Sequence, residues 1–255
     1  SIYLAKKGYS VSLFEAKKIG HGASGRNGGQ LGIGMRKDQK SIEKIFGFEH
    51  ANKLWNLGLE AVTEAKKLIS EYKIECNLVN GVINAGFFEK DEKDFTEEVD
   101  HMQNKYGFKG YQYLNKKEIS DELSTDIYHS GLLNKYSYHI NPLKFLIGLA
   151  NELKSLNVKV YENTPITKIL NHKDGVKLFS NSKTVNARRV VVGCNGYLDS
   201  LLGNIRNKFM PINNYIIATE PLGKDLAEQI IKNNYAVSDT RFIIDYYRFS
   251  EDWRM

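Results

Sequence analysis

The chain has 255 residues, of which 42% are hydrophobic and 26% are charged, and its formal net charge is +6. No segment approaches the roughly 18 uninterrupted apolar residues of a membrane helix, so we expect no membrane span. The lysines are interspersed with acidic residues, as in 91–100. This favours a solvated mixed-charge surface over a nucleic-acid-binding stripe. The two cysteines, Cys76 and Cys194, are far apart and lack CxxC spacing, which indicates reduced thiols in a cytoplasmic protein and no metal site.

The first elements are a helix end, a strand and a glycine-rich segment. Residues 1–7 predict the last turns of a helix that Gly8 terminates. Residues 10–15 alternate polar and apolar side chains and predict a strand that ends in Glu15. Residues 15–30 then contain five glycines and few apolar side chains. Such a run either brings backbone close to a ligand or is a mobile surface loop.

The middle of the chain alternates helices and strands. Apolar residues at three- and four-residue steps predict a helix over 48–73. A strand over 78–88 and a charged helix over about 91–106 follow. A short helix over 115–123 has Asn115 as its expected N-cap.

The second half begins with a helix capped by Asn141, with Pro142 in its first turn. Short strands are expected at 158–163, 166–170, 175–180 and 183–187. The apolar run at 188–196 predicts a strand that is buried on both faces. The last elements are expected to be a strand over 213–222, a helix over 224–234 and a strand over 241–250.

The order helix, strand ending in an acid, glycine loop is typical of the second half of a βαβ dinucleotide-binding unit. In such units the acid accepts hydrogen bonds from the ribose hydroxyls, which assigns that role to Glu15. Small residues in the loop allow backbone N–H groups and a hydroxyl to approach phosphate or ribityl oxygens. The residues in this role are Gly22, Ala23 and Ser24, and those expected to leave room for a flat ring system are Asn27, Gly28, Gly29 and Gln30.

The run "GHGASGRNGGQ" at 20–30 resembles the GxGASGRNGG segment of FAD-dependent oxidoreductases of the D-amino-acid oxidase superfamily. The segments "ANKLWNLGLEAV", "HINPLKFLIGLA", "PINNYIIATEPL" and "DYYRFSEDWRM" resemble successive landmarks of its gamma-glutamylputrescine oxidase branch. The resemblance implies an α/β fold in which an incomplete Rossmann-like FAD domain (1–36 and 140–205) is interleaved with a substrate domain. That second domain (37–139 and 206–255) is expected to be α+β with a mixed or antiparallel sheet. Because the chain lacks an initiator Met and stops after a strand-like run, we expect a fragment of a longer protein that binds FAD weakly or not at all when expressed alone.

The resemblance also implies cofactor contacts. Glu15 holds the FAD ribose, and the loop from Gly22 to Gln30 runs past the pyrophosphate toward the isoalloxazine. Ile166 matches a position whose backbone meets the adenine, although a core strand residue explains it equally well. Asn195 and Gly196 form a turn close to the cofactor.

The implied reaction is flavin-dependent oxidation of a C–N bond in an amine or amino acid, with gamma-glutamylputrescine as the leading substrate. The product imine is hydrolysed to an aldehyde or keto acid, and the flavin is reoxidised by O2 or another acceptor. Two alternatives remain open. One is a flavin dehydrogenase for D-amino acids, sarcosine or glycine, and the other is a non-catalytic or RNA-modification-associated flavoprotein.

His139, Tyr247 and Arg248 are the candidate substrate contacts, and no catalytic residue stands out. Arg248 has the geometry to pair with a substrate carboxylate, while Tyr247 offers a hydrogen-bond donor. Adjacent residues of a strand face opposite sides, so at most one of these two is expected to reach a site. A structural hydrogen bond is the alternative role for His139.

Overall fold

A computed structural model describes residues 1–181, 183–198 and 201–255, and the chain divides into two compact units. The first unit comprises residues 1–26 and 149–216, and the second comprises 27–148 and 217–255. Each break lies about ten residues from the boundary expected from the sequence.

The helices and strands are as follows. The helices are α1 (Ile2–Lys6), α2 (Gln39–Glu71), α3 (Asp91–Tyr106), α4 (Lys116–Leu123), α5 (Pro142–Ser155), α6 (Gly203–Arg206) and α7 (Lys224–Ile230), with a 3-10 turn at Asn195–Leu198. The strands are β1 (Ser12–Phe14), β2 (Gln30–Leu31), β3 (Val79–Gly86), β4 (Tyr111–Leu114), β5 (Ser130–His139), β6 (Lys159–Tyr161), β7 (Ile166–His172), β8 (Gly175–Ser180), β9 (Thr184–Ala187), β10 (Ala236–Asp239) and β11 (Tyr246–Tyr247). No helix of the described residues is both long enough and apolar enough to cross a membrane.

The first unit contains a parallel strand pair, as expected for part of a Rossmann-like sheet. Strand β1 pairs in parallel with β6, and the rings of Phe14 and Tyr161 stack at 5.1 Å. Strands β7, β8 and β9 form a separate antiparallel sheet. Helix α1 ends before Gly8, whose φ of +82° is easily reached by glycine, so the predicted helix end is confirmed.

The strands predicted at 188–196 and 213–222 are wrong. Residues 188–194 and 213–219 form no regular strand, and Val191 and Ile217 are 81% and 90% exposed. Apolar composition predicts burial, but a strand also needs the free edge of a neighbouring strand. Among the described residues, neither segment pairs with such an edge.

The second unit is built on a six-stranded mixed sheet. Its order is β11-β10-β3-β5-β2, with β4 also paired to β5. Strands β10 and β3 are parallel, whereas the other pairs are antiparallel. The expected mixed sheet is therefore confirmed. Only Tyr246 and Tyr247 of the strand predicted at 241–250 pair with a neighbour.

Local capping explains why several helices begin where they do. Asn115 and Glu118 form a capping box at the start of α4. The Asn141 side chain accepts from the Lys144 N–H at 3.0 Å at the start of α5. Both predicted caps are confirmed. Helix α2 begins nine residues earlier than the predicted 48, and it is kinked at Gly47, where φ is +76° and ψ is 161°.

Candidate functional site

Glu15 lies directly beyond β1 and is held by its backbone. Its N–H donates to the Tyr161 carbonyl, and its carbonyl accepts from the Thr164 N–H, both at 2.9 Å. One carboxylate oxygen, Oε1, accepts from the Lys17 N–H at 2.8 Å. Within the described chain, Oε2 has no hydrogen-bond partner. The side chain is half-buried at the carboxyl end of a parallel strand and retains one free acceptor atom.

The glycine loop after Glu15 folds into tight turns. The Gly25 N–H donates to the Gly22 carbonyl, and the Arg26 N–H donates to the Ala23 carbonyl, both at 3.2 Å. A Cβ on Gly25 would lie 2.8 Å from the Cα of Gly20, which is closer than real Cβ atoms approach. The loop therefore needs glycine at 25 for its own closure. Ser24 lies within the same turns.

A second turn of the first unit lies near both features. A Cβ on Gly22 would lie 3.4 Å from the Tyr197 ring. The Tyr197 N–H donates to the Cys194 carbonyl at 3.0 Å, and the φ of Asn195 between them is +46°. Burial raises the pKa of the Cys194 thiol, and the negative charge of Glu15 raises it further. The Gly22 loop and the 194–197 turn are therefore neighbours, and the Glu15 carboxylate lies close enough to this turn to influence the Cys194 thiol.

Two further candidates of the first unit lie beside this cluster. Ile166 opens β7 two residues after Thr164, which is bonded to the Glu15 carbonyl, and it pairs with Ser180. Gly196 lies in the 3-10 turn, where a Cβ would be 3.7 Å from Pro211. A strand role and a cofactor role for Ile166 are thus compatible.

In the second unit, the turn at 27–30 is shaped by the chain's own atoms. The Gly29 N–H donates to Asn27 Oδ1 at 2.9 Å, and its carbonyl accepts from the Ile140 N–H at 2.8 Å. Gly29 has a φ of +72°, and a Cβ there would overlap the Ile140 carbonyl oxygen. A Cβ on Gly28 would lie 2.8 Å from the Tyr246 ring. Protein groups therefore fill the space that side chains at positions 28 and 29 would occupy.

Arg248 packs against the same turn. Its Nε donates to the Gly28 carbonyl at 2.7 Å, and its Nη1 donates to the Phe249 carbonyl at 3.1 Å. Burial lowers the pKa of the guanidinium. No carboxylate among the described residues forms an ion pair with Arg248, whereas Arg241 and Arg254 are both paired. Nη2 has no protein acceptor within that same part of the chain. A half-buried cation with free donors is suited to binding an anion.

His139 is fully buried at the end of β5, where it pairs with Gln30 of β2. Its Nε2–H donates to the Asn234 carbonyl at 2.8 Å, and Nδ1 has no partner within the described part of the chain. Burial lowers the pKa of His139 to about 4, and the positive charge of Arg248 acts in the same direction. The imidazole is therefore neutral near pH 7 and is anchored by a structural hydrogen bond. Gln30 donates from its side chain to the Val237 carbonyl at 3.2 Å.

Tyr247 packs into the core of the second unit. Its ring packs against the main hydrophobic cluster, and its hydroxyl donates to the Tyr128 hydroxyl at 3.3 Å. Tyr246 lies on the opposite face of the strand, which is the face of Arg248, because side chains alternate along a strand. Tyr246 and Tyr197 pack beside the two glycine turns and were not predicted from the sequence. Alternation along a strand could have placed Tyr246 on the same face as Arg248, two residues later.

Comparison with known proteins gives a consistent assignment. The chain matches the family described as "DAO: FAD dependent oxidoreductase" over residues 1–255. It is 33% identical over 256 residues to gamma-glutamylputrescine oxidoreductase of Escherichia coli, and 32% identical over 259 residues to the probable oxidoreductase OrdL of Haemophilus influenzae. Both alignments cover 100% of this chain but only 60% of the relative.

The fold is similar to that of solved structures. Glycine oxidase from Bacillus cereus superposes with a TM-score of 0.71 at 16% identity, covering 99% of this chain and 66% of that one. L-proline dehydrogenase from P. horikoshii gives 0.67 at 17% identity, covering 99% of this chain and 63% of that one. The family match over its full length shows that the chain belongs to the DAO family of FAD-dependent oxidoreductases.

Proposed function

We propose that this protein takes part in FAD-dependent oxidation of a C–N bond in an amine or amino acid that carries a carboxylate. The family match supports the reaction class. The similarity to gamma-glutamylputrescine oxidoreductase makes a gamma-glutamylputrescine-like compound the leading substrate. Bound FAD would supply the acceptor for the hydride that leaves the carbon next to the amine, and hydrolysis of the resulting imine would give an aldehyde or keto acid together with the free amine or ammonia.

The first unit is proposed to hold the cofactor. Glu15 Oε2 is a free acceptor for the ribose hydroxyls, and its carboxylate lies near the 194–197 turn. These features fit the ribose of FAD. The other proposed contacts of this unit are Gly22, Ala23, Ser24, Ile166, Asn195 and Gly196. Asn27, Gly28, Gly29 and Gln30 of the second unit remain proposed contacts, although the chain's own packing already requires glycine at 28 and 29.

The second unit is proposed to bind the substrate through Arg248. The observation that carries this proposal is a half-buried guanidinium that retains free N–H donors and has no carboxylate partner in the described chain. A substrate carboxylate bound at Arg248 accepts hydrogen bonds from the free guanidinium N–H groups and neutralises the positive charge. Because His139 is neutral, it places no second positive charge beside Arg248 that would compete for the carboxylate. We propose that His139 keeps the strand and the turn in register and does not transfer a proton at pH 7.

The test uses the full-length protein loaded with FAD, excludes oxygen, and follows bleaching of the flavin by an amine panel. The panel contains gamma-glutamylputrescine, D-amino acids, sarcosine and glycine, with putrescine as the carboxylate-free control. We expect Arg248→Gln to raise the KM of the best carboxylate-bearing substrate by about 10- to 100-fold, since a charge-assisted pair is lost. Arg254→Gln, which removes an exposed guanidinium paired with Asp252, should leave the KM unchanged.

Two results contradict the proposal. Equal KM values for Arg248→Gln and the unaltered protein would remove Arg248 from the site, and equally fast bleaching by putrescine would remove the carboxylate requirement. Reaction under air identifies the acceptor, because peroxide formation indicates O2, whereas its absence favours a dehydrogenase that uses another acceptor.

A further inference from the structure

Residues 35–46 of the second unit form a short segment between two glycines with left-handed backbone. Gly34 has a φ of +83° and Gly47 a φ of +76°. The backbone of Gly34 packs tightly against α2, because a Cβ on Gly58 would lie only 2.7 Å from the Gly34 nitrogen. Gly47 has open space around its Cα and interrupts α2 with non-helical backbone. The segment, hereafter the strap, thus runs from a fixed point to an unobstructed pivot.

The strap is held mainly by polar contacts with α3. Glu43 accepts hydrogen bonds from His101 Nε2 at 2.7 Å and from the Tyr106 hydroxyl at 2.9 Å, and it also pairs with Lys105. Burial opposes ionisation of Glu43, but the three donors outweigh it and lower the pKa of the carboxyl. Burial raises the pKa of Tyr106 to about 12, so its hydroxyl keeps the proton that it donates. Glu43 is therefore the central acceptor of this network.

Gln39 completes the closed arrangement. Its buried side-chain amide donates to the Ala51 carbonyl at 2.7 Å and to the Tyr106 hydroxyl at 3.1 Å. Ala51 lies beyond the kink, so Gln39 bonds one part of α2 to the other. Loss of the Glu43 contacts leaves Gln39 as the remaining buried polar attachment among those described for the strap.

Apolar contacts of the strap are few. Ile42 is buried at 3% exposure. Met35 is 41% exposed, and Ile45 and Phe46 are both 56% exposed. An element with few buried apolar side chains opens at a lower free energy than the core on which it rests. Its closure therefore depends on the Glu43 network more than on packing.

We propose that residues 35–46 form a hinged strap that opens separately from the second unit, with Gly47 as its pivot and Glu43 as its latch. Opening leaves β3 and β5 intact, because these strands make their hydrogen bonds with each other and with their own neighbours. The strap does not depend on the proposed flavin chemistry. It is a conformational device of this chain by itself.

Hydrogen–deuterium exchange on the 255-residue chain tests the proposal. Amides of 39–46 are expected to exchange faster than those of 48–71 and of α3. Glu43→Gln should accelerate exchange over 39–46 by about tenfold or more, while β3 and β5 change by less than about twofold. The matched control is Glu97→Gln, which removes the exposed 3.0 Å pair between Lys40 of the strap and α3 and should change exchange by less than about twofold.

Gly47→Ala provides an independent test of the pivot. The added methyl meets no atom within 4 Å, so its effect comes from the backbone, which L-residues rarely adopt at this φ. Faster exchange confined to 39–46 supports the hinge. If amide exchange in β3 and β5 accelerates as much as exchange over 39–46 in either variant, the proposal is overturned, because the substituted residue then stabilises the whole second unit and not the strap alone. Unchanged exchange of the strap in Glu43→Gln would also overturn it.

Discussion

Replacing Gly29 with alanine tests whether the glycine-rich turn is required by the protein's own contacts. The φ of +72° costs an L-residue roughly 1 to 2 kcal/mol. The new Cβ would also overlap the Ile140 carbonyl oxygen and lie 3.1 Å from Arg248 Nη2. Forced overlap in a packed region typically costs about 1 to 3 kcal/mol. The expected loss in the free energy of unfolding is therefore about 2 to 5 kcal/mol.

Urea denaturation of the FAD-free chain measures this loss without any contribution from the cofactor. Gly32→Ala is the matched control, because a Cβ there meets only Ser137 Oγ at 3.9 Å and the backbone is not left-handed. Its stability should change by less than about 0.5 kcal/mol. If Gly29→Ala loses less than about 1 kcal/mol, or the control loses as much, the steric reasoning is refuted. Loss of FAD affinity with unchanged stability would show that the cofactor is what requires this glycine.

Two further predictions concern the candidate substrate residues. Because burial depresses the pKa of His139 from 6.5 to about 4, the unfolded chain binds more protons between these values, and stability should rise with pH by about 3 kcal/mol across that interval. Denaturation between pH 4 and 7 checks this, and a His139→Gln variant whose slope equals that of the unaltered protein would argue against it. Tyr247→Phe removes only the 3.3 Å hydroxyl contact with Tyr128, so it should cost at most about 1 kcal/mol and leave the KM unchanged. A KM increase comparable with that of Arg248→Gln would instead support Tyr247 as a substrate contact.

Short-range chemistry made much of the architecture predictable. Helix α3 spans 91–106 as expected, and Asn115 and Asn141 cap the helices assigned to them. These features depend on residues within a few positions of one another. The strand after Ser10 and its acidic end were predictable for the same reason, since alternation is a local pattern.

Contacts between distant parts of the chain decided what local patterns could not. The apolar run at 188–196 has the composition of a buried strand, yet strand formation requires a partner that composition does not supply. Gly28 and Gly29 were recognisable as a close-approach site. Only the fold showed that Tyr246 and Ile140, more than 100 residues away, are the groups that approach.

The sequence by itself determined where most helices begin and end, the acid that follows the first strand, and the family resemblance of the glycine loop. Tertiary structure decided which side chains meet. It placed Arg248 against the Gly28 carbonyl without a carboxylate partner in the described chain, and it turned Tyr247 into the core. The physical reason is range: capping and periodicity act over one or two turns of the chain, whereas burial and charge pairing depend on every segment that folds beside a residue.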